Sequence, residues 1–162
     1  MTITEACKKT LELGLNQGTS GNISTRIDEN SFLITPTNAP YQTLKESDLV
    51  ICDLNGNSKN GVPSSEWRLH AEIYKNFLNI NSVVHTHSPK ATEIAMKELP
   101  INPSIPCAPF AEFGTTQVGL SVIPYLKVTN TVLLGKHGTV ATGKDLDEAF
   151  NNAKLIEEQA SF

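Results

Sequence analysis

Apolar residues recur along the chain with two periods, and each change of period marks a new element. In "ITEACKKTLELGL", Cys7, Leu11 and Leu15 recur at helical spacing before the turn-rich "NQGTSGN", which predicts an amphipathic opening helix. The segments "NISTRID" and "SFLITPT" flank the polar "DENS" as the two arms of a hairpin. "DLVICDLNGNSKNG" then runs from a strand into a Gly/Asn turn. Past Pro63 the helical period returns: Trp67, Ala71, Tyr74 and Leu78 fall at i, i+4, i+7 and i+11 of "SSEWRLHAEIYKNFL", one stripe of a helix. Ser64 and Ser65 stand at its start, where backbone N–H groups lack helical partners.

The β-branched "INSVVHTH" predicts a strand, and "SPKATEIAMKEL" a helix with Pro89 in the first turn, where proline is tolerated. Four prolines in "PINPSIPCAPF" exclude a long regular element there. "TVLLGKHGTVAT" reads as two strand pieces around a turn. "DLDEAFNNAKLIEEQ" closes the chain as a helix, with Asp145 and Glu148 at capping spacing and Leu146, Ala149, Phe150 and Ala153 as its buried face. With no repeat or linker, 162 residues make a single mixed α and β domain.

Composition narrows the function classes. Charged residues at 19% and apolar ones at 39% are ordinary for a globular protein. A net charge of -4 without a Lys/Arg cluster points away from nucleic acid. Neither a signal-peptide core at the N-terminus nor a later membrane-spanning stretch is present, so the expected location is the cytoplasm. Cys7, Cys52 and Cys107 are odd in number and widely spaced, as in a reducing compartment.

Candidate chemistry gathers on histidines. Residues i and i+2 of a strand share a face, so His85 and His87 direct two imidazoles to one side. A catalytic zinc site commonly takes three protein ligands, and His137, between Gly135 and Gly138 in "LLGKHGTV", is the candidate third. Glu66, in the first turn of its helix, is the candidate acid or base. "GTSGN", "TPTN" and "PSSE" offer small residues and backbone N–H groups in the manner of anion cradles, although such turns are more often turns alone.

Taken in order, "GLNQGTSGNIS", "LITPTNAPYQTLKESDLV", "PSSEWRLH", "VVHTHS", "SIPCAPFAEFGT" and "KHGTVATGKDLDEA" resemble the class II aldolase/adducin family over nearly the whole chain. The resemblance implies an α/β fold, a three-layer α/β/α sandwich around a largely antiparallel sheet, occupying residues 1–162 and assembled as a homotetramer. It assigns His85, His87, His137 and Glu66 to one zinc ion per subunit, with Glu66 also moving protons. It assigns Gly21, Asn22, Thr37, Asn38, Ser64 and Ser65 to a substrate phosphate, and leaves His70 as a supporting or structural residue. The implied reaction cleaves a ketose 1-phosphate to dihydroxyacetone phosphate and an aldehyde through an enediolate on the metal.

Three departures stand against the family pattern. "TPTN" replaces "TPTG", and Asn38 is among the residues that best tolerate a left-handed backbone. The segment near 97–103 and the C-terminus are short, and Tyr41, Tyr74 and Tyr125 match neither of the family's tyrosine positions. A related dehydratase or epimerase, or a metal-binding but non-catalytic adducin-like module, are the alternatives. Epimerases of the family place an aspartate where Glu66 stands, and retention of all three histidines favours chemistry over scaffolding.

Overall fold

The computed structural model describes residues 1–160, which form seven strands and five helices. The strands β1 (Asn22–Asp28), β2 (Ser31–Ile34), β3 (Val50–Asp53), β4 (Ser82–Thr86), β5 (Cys107–Ala108), β6 (Thr131–Leu134) and β7 (Gly138–Gly143) make one open sheet. Its spatial order is β3-β2-β1-β4-β7-β6-β5. All neighbours are antiparallel except β5 and β6.

Successive side chains of a strand point to opposite faces, so this sheet feeds two cores. Ile23, Val84, Leu133 and Ala141 pack on one side with α1 (Ile3–Glu12), α3 (Pro89–Met96) and α5 (Leu146–Gln159). Phe32, Val83, Val132 and Val140 pack on the other with α2 (Trp67–Asn76) and α4 (Thr116–Leu126). This is the expected three-layer α/β/α arrangement. No helix among the described residues is long and apolar enough to cross a membrane.

Local signals account for most element ends. Thr2 accepts from the Glu5 N–H while the Glu5 carboxylate accepts from the Thr2 N–H, a capping box that starts α1. Asp145 accepts from the Glu148 N–H at 2.8 Å and starts α5. The first turn of α3 is capped from a distance: the Glu157 carboxylate on α5 accepts from Lys90 and Ala91 N–H at 3.1 and 2.9 Å. Periodicity has no access to such a cap.

Two expectations need correction. The spacing extends the α2 stripe to Leu78, but the helix stops at Asn76 and Leu78 is 78% exposed; Leu69, His70, Ala71, Ile73 and Tyr74 are its buried residues. The helix α4, "TQVGLSVIPYL", has no counterpart in the expectations. Its Pro124 sits in the last turn, and Gly119 lies where α2 crosses so closely that a Cβ would come within 2.5 Å of the Glu72 side chain. A glycine and a proline in one short segment weaken the helical pattern, and packing against α2 restores it.

Beyond α2 the chain turns back into β4 around the Arg26 guanidinium. Nη2 of Arg26 donates to the carbonyls of Tyr74, Phe77 and Ile80 at 3.1, 2.8 and 2.9 Å, and the guanidinium lies over the Tyr74 ring. Tyr74 is in the last turn of α2, Phe77 is its cap and Ile80 lies in the connection beyond, and one charged donor ties the three carbonyls together. Arg26→Met is expected to cost about 2 kcal/mol of stability, read as a lower urea midpoint with an unchanged denaturant slope.

Candidate metal centre and active site

Register brings the site together. β4 lies between β1 and β7, with Asn22 paired to His85 on one side and Val140 on the other. His85 is the fourth residue of β4 and His87 the first past its end, and their Nε2 atoms face one another at 2.9 Å. His137 lies in the tight β6–β7 turn, where its N–H donates to the Leu134 carbonyl. The three rings are mutually edge-on, with centroids 4.7 to 5.3 Å apart.

The glycines flanking His137 serve a purpose other than the one expected. The left-handed residue of the turn is Lys136, at φ 58°. Gly138 is needed for close approach, since a Cβ there would lie 2.6 Å from the Thr86 carbonyl and 2.8 Å from the His87 ring.

Glu66 also departs from expectation. It is not inside the first turn of α2 but occupies the cap position, at φ -100° and ψ 20°, and its side chain makes no capping bond. Its carboxylate instead turns to the imidazoles: Oε2 is 3.0 Å from His85 Nε2 and Oε1 is 2.9 Å from His137 Nε2. The Oε1 contact lacks hydrogen-bond alignment, so this buried oxygen has no partner, and neither has His137 Nδ1.

The donor set fits a cation. His85 Nδ1 lies 2.7 Å from the Thr139 carbonyl, which can only accept, so Nδ1 carries the hydrogen and the neutral ring turns a bare Nε2 lone pair inward. That lone pair faces a carboxylate oxygen and a second imidazole nitrogen, which repel it unless a proton or metal ion intervenes. Four ligand atoms, one from each of Glu66, His85, His87 and His137, all lie within 4.8 Å of one another. Ligands around a tetrahedral zinc are about 3.3 Å apart, so the set needs only slight adjustment. The carbonyl behind His85 is the kind of outer partner that orients a metal-ligating histidine.

Electrostatics agree. Burial raises the Glu66 pKa, but the neighbouring His85 and His137 outweigh it and hold the carboxyl ionised. Burial pushes His87 down to about 3, assisted by His85 and His137, and lowers His137 as well. His85 moves the other way: burial lowers it, yet the Glu66 charge lifts it above the ordinary value, so in the metal-free site a proton on Nε2 can take the place of a metal ion between the two.

A cavity of about 200 Å³ opens beside this cluster. The connections 35–38 and 62–64 run side by side, through the Pro36–Pro63 bridge and backbone bonds from Thr37 N–H to Val62 and from Ser64 N–H to Thr35. This pairing sets Thr37 and Asn38 opposite Ser64 and Ser65 on the cavity wall, and Gly21 and Asn22 complete it. Asn38 holds the left-handed conformation, φ 54°, anticipated for it. At Gly21, φ 80°, a Cβ would run into the Asn16 side chain at 2.4 Å.

Of the residues the sequence singled out, Glu66, His87 and His137 also line the cavity, while His85 is fully buried behind it. Asn22 differs from its simple assignment to a phosphate, because its Nδ2 already donates to Glu66 Oε2 at 3.0 Å and its Oδ1 is held by His70. Sequence reasoning missed Asn16, whose Oδ1 accepts from the His87 N–H at 3.0 Å, and Phe113, whose ring centroid is 5.3 Å from that of His137. It also missed the wall residue Tyr41, although both "GLNQGTSGN" and "TPTNAPY" were singled out.

The family model for the Class II Aldolase and Adducin N-terminal domain matches residues 1–162. An Escherichia coli L-fuculose phosphate aldolase is 40% identical over 96% of this chain and 77% of its own length. A 5-methylthioribulose-1-phosphate/5-deoxyribulose-1-phosphate aldolase of Rhodospirillum rubrum is 33% identical over 96% of this chain and 76% of its own. A solved L-fuculose 1-phosphate aldolase superposes with a TM-score of 0.91 at 31% identity, over 98% of this chain and 81% of that one. The chain belongs to the class II aldolase/adducin family. Within it, the protein is a metal-dependent aldolase.

Two outcomes follow for metal and proton. His85→Ala is expected to abolish stoichiometric binding of a divalent metal, measured by equilibrium dialysis with elemental analysis. In metal-free protein, His70 and His87, both pushed down to about 3 by burial, take up protons only on unfolding, and His137 is lowered in the same direction. Their stabilising contribution is present above pH 6.5 and is lost as pH falls, by about 1.4 kcal/mol per pH unit for each histidine fully below its unfolded pKa. Urea midpoints should therefore drop between pH 6.5 and about 5, a window above the carboxylate range.

Proposed function

We propose that the protein is a zinc-dependent aldolase that cleaves a ketose 1-phosphate of the L-fuculose 1-phosphate kind into dihydroxyacetone phosphate and an aldehyde. The observation that carries this reading is the convergence of three imidazoles and one buried carboxylate on the floor of a cavity with a donor-rich wall. Three nitrogens and one oxygen are a donor set that suits zinc. The names of the relatives above supply the substrate class: one acts on L-fuculose phosphate, another on 5-methylthioribulose and 5-deoxyribulose 1-phosphates.

In this reading His85, His87 and His137 hold the metal, with Glu66 as a fourth ligand that substrate can displace. Zinc, when bound, supplies Lewis acidity, polarising the ketose carbonyl and its neighbouring hydroxyl. The remaining steps belong to the chain. Gly21, Asn22, Thr37, Asn38, Ser64 and Ser65 hold the 1-phosphate and place the sugar carbons beside Glu66. As the C3–C4 bond breaks, its electron pair stays on C3, and the C4 hydroxyl passes its proton through solvent to the ionised Glu66 carboxylate as C4 becomes the aldehyde carbonyl. Glu66 delivers a proton to C3, so atoms and charge balance across the cleavage; in synthesis it removes that proton.

The same reading treats residues 1–162 as one catalytic domain, short near 97–103, that assembles as a homotetramer. Phe110 and Leu120, exposed and lining one shallow groove, are apolar surface that such assembly would cover. Three free cysteines support the cytoplasm as its location.

Zinc-loaded protein is expected to release dihydroxyacetone phosphate from L-fuculose 1-phosphate or 5-deoxyribulose 1-phosphate, followed by coupled reduction. Glu66→Gln should lower kcat by about 10²- to 10⁴-fold without unfolding the protein. Metal-filled, folded wild type that releases no triose phosphate from either compound would remove the aldolase reading and leave a site that binds without reacting.

A further inference from the structure

Behind Glu66 runs a buried line of polar side chains of which only Asn22 belongs to the proposed metal and phosphate sites. Asn22 Nδ2 donates to Glu66 Oε2; Asn22 Oδ1 meets His70 Nε2; His70 Nδ1 meets Ser24 Oγ; and Ser24 Oγ lies 2.7 Å from the Tyr74 hydroxyl. Asn22, Ser24, His70 and Tyr74 are each at most 3% exposed. Phe32 stacks on the His70 ring at an interplanar angle of 11°, which fixes its plane.

The polarity of this line is determined from the Glu66 end. A carboxylate only accepts, so Asn22 must present its amide nitrogen to Glu66 and its oxygen to His70. His70 must then carry its hydrogen on Nε2, leaving Nδ1 to accept from the Ser24 hydroxyl, which in turn accepts from Tyr74. Every member then has a partner of the right kind, as a buried network demands. Reversing Asn22 would set its oxygen against the carboxylate, and it would leave two hydrogens of the amide facing His70 Nε2–H.

We propose that His70 is the positioning residue of the active site: its Nε2–H locks the Asn22 amide with both Nδ2 hydrogens forward, one on Glu66 and the other toward the phosphate cradle. Asn22 thereby joins the proton-transfer group to the phosphate subsite, and its orientation, chosen by the Glu66 carboxylate, is held by a side chain that touches neither phosphate nor Glu66. This assignment builds on the proposed aldolase reaction for its kinetic consequence, but not for its structural one.

The test uses full-length, zinc-loaded protein. Long-range ¹⁵N–¹H correlation spectra should show His70 as the Nε2–H tautomer with a bare Nδ1. His70→Phe should lower kcat/KM by about 10- to 100-fold, with a rise in KM for the sugar phosphate and weaker binding of inorganic phosphate by calorimetry. His70→Gln, whose amide nitrogen can stand where Nε2 stood, should restore most of both. If His70→Phe fails to fold, Ser24→Ala, which frees the opposite side of the ring, should weaken phosphate binding in the same direction. An Nδ1–H tautomer or a charged ring would overturn the proposal, as would a folded His70→Phe with wild-type phosphate affinity. Loss of thermal stability in both His70 variants with unchanged KM and phosphate affinity would reduce His70 to a core residue and overturn it too. Wild type that turns over no ketose phosphate would remove the aldolase reading alone, and the tautomer and the phosphate affinity would still decide this one.

Discussion

A buried carboxylate set against three inward-facing imidazoles is the constraint on which the rest of this structure depends. Glu66 has one oxygen on His85, the other on His137, and little exposure to water. Such a group is costly to bury without compensation, and lone pairs aimed at one another are costly again. A cation at their meeting point relieves both. The site is therefore a place where the fold accepts local electrostatic conflict in the metal-free chain in order to concentrate donors, as is usual where chemistry is carried out.

The scaffold meets that constraint with its most rigid parts. His85 lies in the central strand of the sheet, paired on both sides, and its ring is held by the Thr139 carbonyl of β7. His137 is carried on a turn tight enough that Gly138 cannot bear a side chain, and Glu66 on the cap of α2. The cavity wall, by contrast, is made of loops. Those loops are tied to each other through the Pro36–Pro63 bridge and to the imidazole cluster through Asn16, which packs against Gly21 and accepts from the His87 backbone. Rigid ligands and cross-braced loops together allow a cavity to hold donors at a fixed distance from a metal without covering it.

The polar line from Tyr74 to Glu66 adds a second form of order. Hydrogen bonds within a low-dielectric core are directional, and a line of them with one possible polarity transmits that polarity from end to end. The Arg26 guanidinium, stacked over Tyr74 and bonded to three carbonyls past α2, secures the distal end. The end of α2 and the Glu66 carboxylate are thus joined through Tyr74, Ser24, His70 and Asn22.

Much of this was legible in the sequence because it depends on local periodicity and spacing. The hairpin, the β4 strand with its HxH pair, the final helix with its Asp145 cap, and the left-handed tolerance of Asn38 follow from side-chain alternation, helical spacing and turn chemistry, all of which act over a few residues. Motif order alone was enough to identify the family. What only the tertiary structure decided lies between distant segments. The Asn22 to His85 register, the cap that Glu157 places on α3, the α4 helix rescued by packing at Gly119, and the turning of Glu66 from its helix toward the imidazoles have no local signature. His70 illustrates the division best. Its sequence position marks it as one buried residue of a helix, and only the meeting of β1 with α2 turns it into the partner that orients Asn22. Periodicity determines which face of an element is buried, but chain crossing determines which polar groups meet there, and function depends on that meeting.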